Sequence, residues 1–301
     1  MAVGQLSGER SAISSRVRRT VALLRRRGYA LSAARLAEVC LGGPVSELEV
    51  RWAAASSPGL AITGDLVVEE ARVEEAAAIR ARASGHLAES TGYVALTRRF
   101  VRTLVAVAPF VQSVSIAGSL ASGGFRASDD IDLNLIVDDG RRHLAYVVVN
   151  ALGLVHALRH RDKPVDDLTR RPIAPRLMTV NLVLERSQCH PLQRDDEHMA
   201  FEFLVAEPIF GLDVVDAVLR ANPMLLKHFP QLLHRPAPFL IAAPRRLPKV
   251  LYPALLDGPA RALGHSAWRC MQWTRRHRPE ALARVEFVRS TMRPYTLFDP
   301  S

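Results

Sequence analysis

The chain has 301 residues, almost half of them hydrophobic, and a formal net charge of +10. That apolar share excludes a disordered chain, and the length holds two modest domains or one large one. The charge is uneven: residues 1–97 carry 12 Lys/Arg against 10 Asp/Glu, residues 98–225 carry 15 against 16, and residues 226–301 carry 13 against 4. Attraction to a polyanion therefore rests on the last quarter. Cys40, Cys189 and Cys270 are scattered and odd in number. They form no disulfide framework or metal motif and suit a reducing cytosol. Residues 1–10 lack the apolar core of a signal peptide. The most lipid-like run, residues 144–158, is too short for a span and carries Asn150 and His156. A cytoplasmic protein without a transmembrane segment is expected.

In chain order, residues 1–10 read as a loose terminus. Over residues 11–27, Ile13, Val17, Val21 and Leu24 recur at helical spacing, and Gly28 ends the helix. Ser32 caps a short second helix that stops at Gly42-Gly43. Ser46 and Glu49 form a capping box for a third helix running to Ala55. Leu60 to Thr63 and Leu66 to Val68 read as a hairpin around Gly64-Asp65. Three helices followed by a hairpin is the order of a winged-helix module. Its third helix offers Glu47, Glu49 and a single arginine, Arg51, where DNA readers need several cations at the phosphates. A packing role for this module is therefore preferred to DNA reading. An Ala/Glu/Arg-rich connector helix follows over residues 69–86, and a further helix over residues 97–107.

Residues 114–137, VSIAGSLASGGFRASDDIDLNLIV, carry the chemistry. An apolar run breaks at Gly118-Ser119, stays flexible through Gly123-Gly124, and resumes with Asp130 and Asp132 at its head. Side chains alternate along a strand, so Asp130 and Asp132 share a face and Asp129 falls on the other. Two carboxylates on one face favour a hard divalent cation between them. A glycine followed by a serine lets backbone N–H groups and a hydroxyl approach phosphate oxygens. Arg126, in the connecting loop, is a candidate triphosphate contact.

The run Ala117-Gly118-Ser119, ten residues, then Asp130-Ile131-Asp132-Leu133 resembles the signature of the DNA polymerase β-like nucleotidyltransferase superfamily. The resemblance implies an α+β fold: a small mixed-sheet nucleotidyltransferase core with the N-terminal winged-helix-like domain and a helical C-terminal region. It also implies Mg²⁺ or Mn²⁺ held by Asp130 and Asp132, a nucleoside triphosphate bound at Gly118, Ser119 and Arg126, and transfer of a nucleoside monophosphate to an acceptor with release of pyrophosphate. A third acid of that superfamily sits on a later strand. The strand expected over residues 177–184, LMTVNLVL, offers Asn181 at the inward position, a neutral oxygen in place of a charge. The alternative is a weakened nucleotidyltransferase-fold protein that binds nucleotide or nucleic acid as a regulator.

Between those strands, residues 138–140 form a turn, residues 141–158 an apolar helix and residues 159–175 a charged, proline-containing loop. Residues 195–205 read as a helix with acids in its first turn, and residues 210–213 as a turn into a helix ending at Asn222-Pro223. The stretch from Met199 through EPIFGLD to LRANPMLLKHFP resembles bacterial proteins that join a winged-helix-like N-terminus to a nucleotidyltransferase domain. Six prolines over residues 236–259 make a strap packed on the core with its cations in water, or an interfacial segment. Residues 264–278 form a helix with Trp268, Trp273 and a basic end that suits its dipole, or that meets phosphate or RNA. His156 and His160 have zinc spacing but no partner in sequence, and AGSLAS lacks the G-x-S-x-G of a hydrolase serine. The expected division is 11–70 winged-helix-like, 71–97 connector, 98–225 nucleotidyltransferase domain and 226–301 basic C-terminal region.

Overall fold

In the computed structural model the described residues are 2–25, 29–164, 177–234 and 239–298. In chain order the elements are α1 (Ala2–Arg25), β1 (Leu31–Ser32), α2 (Ala33–Glu38), α3 (Glu47–Ser56), β2 (Leu60–Thr63), β3 (Leu66–Glu69), α4 (Ala76–Val107), β4 (Val111–Ala117), α5 (Gly118–Ser122), β5 (Ile131–Val137), α6 (Arg142–Ala157), β6 (Met178–Glu185), α7 (Glu197–Val205), β7 (Glu207–Phe210), α8 (Leu212–Ala221), α9 (Pro223–His228), α10 (Asp257–Arg275) and α11 (Pro279–Met292). The expected Gly28 stop and most of the 159–175 loop lie outside the described residues.

The chain divides into two compact units, and neither is continuous: residues 1–86, 195–205 and 222–236 form one, and residues 87–194, 206–221 and 237–301 the other. These breaks differ from the boundaries expected at 70/71, 97/98 and 225/226. The first unit gathers α1 to α3, a three-stranded antiparallel sheet in the order β1-β3-β2, α7 and α9. Ser32 caps α2 by accepting from the Arg35 N–H, and the Ser46–Glu49 capping box starts α3. Two expectations need correction here. Helix α1 begins at Ala2, so residues 2–10 are helical rather than loose, and α2 ends at Glu38, before the glycines. The glycines instead make a left-handed turn whose Gly42 N–H reaches the His228 carbonyl.

The connector and the helix after it are one element. A 3₁₀ turn over Glu70–Glu75 leads into the 32-residue α4, which runs through Gly85 and Gly92 without a break. Its N-terminal Ala76 and Ile79 pack in the first unit, and Leu96, Phe100, Val101, Leu104 and Val105 are core residues of the second. An isolated glycine costs a helix only about 1 kcal/mol, and the packing of both ends offsets that.

The second unit is built on a four-stranded sheet in the order β6-β5-β4-β7. β4 pairs antiparallel with β5 and β7, and β5 pairs parallel with β6. A parallel pair needs a crossover, and α6 provides it. Ala145, Val149, Gly153 and Ala157 recur every four residues on its buried face, and their small size lets the helix lie close to β6. β7 is a strand the sequence reading lacks; it precedes the turn expected at residues 210–213. Pro208 lacks an N–H and is tolerated because β7 is an edge strand, and Gly211 (φ 68°) passes so near the Gln112 carbonyl that a Cβ would stand 2.0 Å from it. The strap over residues 239–256 is also corrected in part. The Arg246 side chain does not sit in water; it donates to the Val105 and Val111 carbonyls, the former at 3.1 Å, and lies over the Phe210 ring. Helix α10 starts at Asp257, earlier than expected, and α11 follows it.

Candidate active site

The sheet register assembles the signature in space. Ala117, the last residue of β4, lies opposite Asp132 on β5, so the chain leaves β4 beside that carboxylate. Gly118 makes the exit with φ 61°, and a Cβ there would sit 2.1 Å from Asp132 Oδ2. Only a residue without a side chain permits this approach. Ser122 Oγ donates to the Gly118 carbonyl at 2.8 Å, and Gly123 closes the short α5 in a left-handed conformation. β5 alternates as expected: Ile131, Leu133 and Leu135 are buried, and Asp132 and Asn134 are half-buried on the opposite face. Asp130 immediately precedes the strand and is also half-buried.

The loop between Gly123 and Asp130 is tied down from several sides. Phe125 is fully buried and packs on the Tyr93 ring, 4.8 Å between centroids. Burial, helped by the Glu89 and Asp162 carboxylates, pushes the Tyr93 phenol up from its ordinary value. It stays a protonated donor, 3.4 Å from the Ala127 carbonyl. The Ala127 N–H donates to Glu89 at 2.5 Å. Asp129 turns back toward the glycine turn. Its Oδ2 accepts from Ser119 Oγ at 2.9 Å and from the Arg126 N–H at 3.1 Å, while its main-chain carbonyl accepts from Lys163 Nζ at 2.8 Å. Lys163 is only 7% exposed. The Arg126 side chain is on the surface.

β6 brings Thr179 to Asp132, and sets Asn181, the residue the sequence points to, one step along the sheet. Thr179 lies opposite Asp132 and its hydroxyl donates to Asp132 Oδ1 at 2.8 Å. Asn181 falls in a bulge, because the register passes from Leu133↔Val180 to Asn134↔Leu182, and its Nδ2 donates to Asn134 Oδ1 at 2.8 Å. The structure thus groups Gly118, Ser119, Asp129, Asp132 and Thr179, with Asn134 and Asn181 next along the sheet. Thr179, Asn134 and Lys163 carried no signal in the sequence reading. Alternation excluded Asp129, yet it sits in a loop where alternation does not hold.

Compared with known proteins, the chain matches no family model, no curated protein and no solved structure.

Other candidate chemistry is accounted for locally. His156 packs edge-on against Phe100, and burial, with smaller effects from Arg159, His160 and Arg99, lowers its pKa and keeps it neutral. Burial pushes the Cys189 thiol up to about 12, with Asp139 adding to the shift and Arg186 opposing it, so it is no nucleophile at neutral pH. Among the described residues no group of three or more His, Cys, Asp or Glu is placed to hold a metal ion. A Mg²⁺ ion in a phosphoryl-transfer site takes one or two carboxylates and fills its shell with substrate phosphate and water. Asp130 and Asp132 can supply that share. Gly118 lets the turn lie directly against Asp132, whose Oδ2 fills the space a Cβ would need. With Asp132 half-buried on β5 and Asp130 just before the strand, the carboxylates match that share in number, and no all-protein metal cage is present among the described residues.

Proposed function

We propose that the chain is a nucleotidyltransferase that moves a nucleoside monophosphate from a nucleoside triphosphate to an acceptor. The observation that carries this reading is the approach of Asp132 to the bare Cα of Gly118, with Ser119 next in the turn. Phosphate oxygens would meet the N–H groups of the turn and the Ser119 hydroxyl, which must leave Asp129 to donate to them. Arg126 would close on the triphosphate from the loop. Asp130 and Asp132 would hold Mg²⁺ or Mn²⁺, which when bound neutralises charge on the α-phosphate and acidifies the acceptor hydroxyl. Thr179 orients Asp132 by its hydrogen bond, and Asn181 acts one step away, through Asn134. Labelled nucleotide should pass from α-labelled ATP, CTP, GTP or UTP to an acceptor in cell-extract fractions with Mg²⁺ or Mn²⁺. Transfer undiminished in an Asp130→Asn, Asp132→Asn double variant would remove the assignment.

A second reading rests on β6. Thr179 and Asn181 are both neutral, so β6 adds no carboxylate beside Asp132; its acid, Glu185, is at the far end of the strand and accepts from the Gly140 N–H at 3.0 Å. A protein that binds Mg-nucleotide without turnover, and regulates through it, is consistent with that. Calorimetry with Mg-nucleotide separates the two readings: heat of binding with no transfer across an acceptor panel favours the regulator. The helix–strand–helix–helix–strand–strand order of α1 to β3 supports the winged-helix-like reading of the first unit. Arg51 is already paired with Glu47 at 2.7 Å, which favours packing over DNA contact for α3. Nucleic acid would instead meet the basic residues of 226–301. Among the described residues no helix is long and apolar enough to cross a membrane. The cytoplasm, where nucleoside triphosphates and free thiols coexist, is the compartment this function implies.

A further inference from the structure

The strap over residues 239–256 is held rigidly from beneath. Arg246 donates to the Val105 and Val111 carbonyls, the Leu247 N–H donates to the Ala106 carbonyl, and Arg141 donates to the Tyr252 carbonyl at 2.9 Å. The Tyr252 ring packs edge-on against Phe110, 5.3 Å between centroids. These anchors alternate with aliphatic side chains that face water. Val250 is 82% exposed, Leu255 75% and Leu251 56%, with Leu247 beside them. Such a run of aliphatics on a fixed backbone is unusual on a soluble surface and marks a contact site. Side chains this exposed stand proud of the surface; the wall of a cleft would cover them in part.

The charges around the run select its partner. Residues 239–278 contain eight Lys/Arg and a single acid, Asp257. That carboxylate is turned inward onto His143 Nδ1 at 2.7 Å and the Leu144 N–H at 2.8 Å. Lys249 pairs with Asp138, but Arg245 and Arg261 are exposed on either side of the run. Farther along α10, Arg269 and Trp273 are exposed four residues apart on one helix face. Aliphatics flanked by cations and an aromatic are the composition of an interfacial anchor. A nucleic acid offers nothing for Val250, Leu251 and Leu255 to bury against. A two-fold contact with a second copy would set this basic patch against the same basic patch. We propose that this strap docks the protein on an anionic lipid surface, with Val250, Leu251 and Leu255 entering the headgroup region and Arg245 and Arg261 meeting the lipid phosphates.

Vesicle co-sedimentation of the full chain tests this, with phosphatidylcholine alone and with phosphatidylcholine mixed with phosphatidylglycerol. Partition into the anionic vesicles, weakened by salt and much lower on the neutral ones, is expected. Val250→Glu with Leu251→Glu and Leu255→Glu should reduce partition by about tenfold or more, at an unchanged melting temperature because these side chains face water. Arg245→Glu with Arg261→Glu should erase the preference for anionic vesicles. No partition, equal partition on both vesicles, or unchanged partition of the triple variant would overturn the proposal. So would a dimer of the wild type, seen by sedimentation, that the triple variant dissolves: the run would then be a self-interface.

Discussion

At Gly118 the space for a side chain is taken by the Asp132 carboxylate. A methyl group there would meet Oδ2 at 2.1 Å and also be forced to φ 61°. Gly118→Ala should therefore cost about 1–3 kcal/mol for the backbone alone and displace Asp132 from Thr179. A lowered melting temperature together with lost Mg-nucleotide binding is the expected pair of readouts. The sequence pointed to Gly118, Ser119 and Asp132, which the sheet register brings together, because turn chemistry and strand alternation are local properties. It could not reveal that Asn181 bonds to Asn134 and Thr179 to Asp132, because a one-residue bulge in β6 changes which side chains meet and leaves no mark in LMTVNLVL. Lys163 was hidden for a different reason. It reaches Asp129 across 34 residues from a segment whose composition reads only as charged loop.

Elements announced by caps were legible, and those fixed by neighbours were not. The Ser32 cap and the Ser46–Glu49 box set the starts of α2 and α3 from side chains three residues apart. β7 exists because β4 has an open edge, and nothing in EPIF with its proline declares a strand. The joint between α6 and α10 is likewise long-range: Asp257 accepts from His143 and from the Leu144 N–H. Burial works to raise the Asp257 carboxyl, and the hydrogen bonds from His143 and Leu144 together outweigh it, leaving it below its ordinary value. A carboxyl depressed in the folded state stabilises the fold above its unfolded pKa, near 4 for an aspartate. That contribution is lost as pH falls through the lower folded value. Unfolding free energy measured by denaturant between about pH 2 and pH 6 should fall more steeply with acid in the wild type than in Asp257→Asn. Parallel profiles would show that the joint carries no linkage.

For the whole molecule, the expected modules at 11–70 and 98–225 correspond to no cut that leaves a complete unit. The first unit draws on α7 and α9 from more than a hundred residues downstream. Arg19 pairs with Glu197 at 2.5 Å, Phe201 packs on Phe229, and Gln231 donates to the Cys40 carbonyl at 2.8 Å. A fragment of residues 1–86 should keep much of its helical far-ultraviolet circular dichroism but lose cooperative thermal unfolding, because its partners at 195–205 and 222–236 are missing. A sharp two-state transition in that fragment would contradict the division. Composition could not show this: the near-balance of charge over residues 1–97 says nothing about which later helices cover them.

The same interleaving governs how the protein is made. The chain passes from one unit to the other at residues 86/87, 194/195, 205/206, 221/222 and 236/237. During synthesis the leading α1–β3 segment emerges early but has no α7 or α9 to close on until about residue 236 has left the ribosome. At about 5–20 residues per second that wait lasts on the order of ten seconds to half a minute. Through that interval the Cys40 carbonyl and the Gly42 N–H lack Gln231 and His228, their partners in the folded unit, so this segment is one a chaperone would hold open.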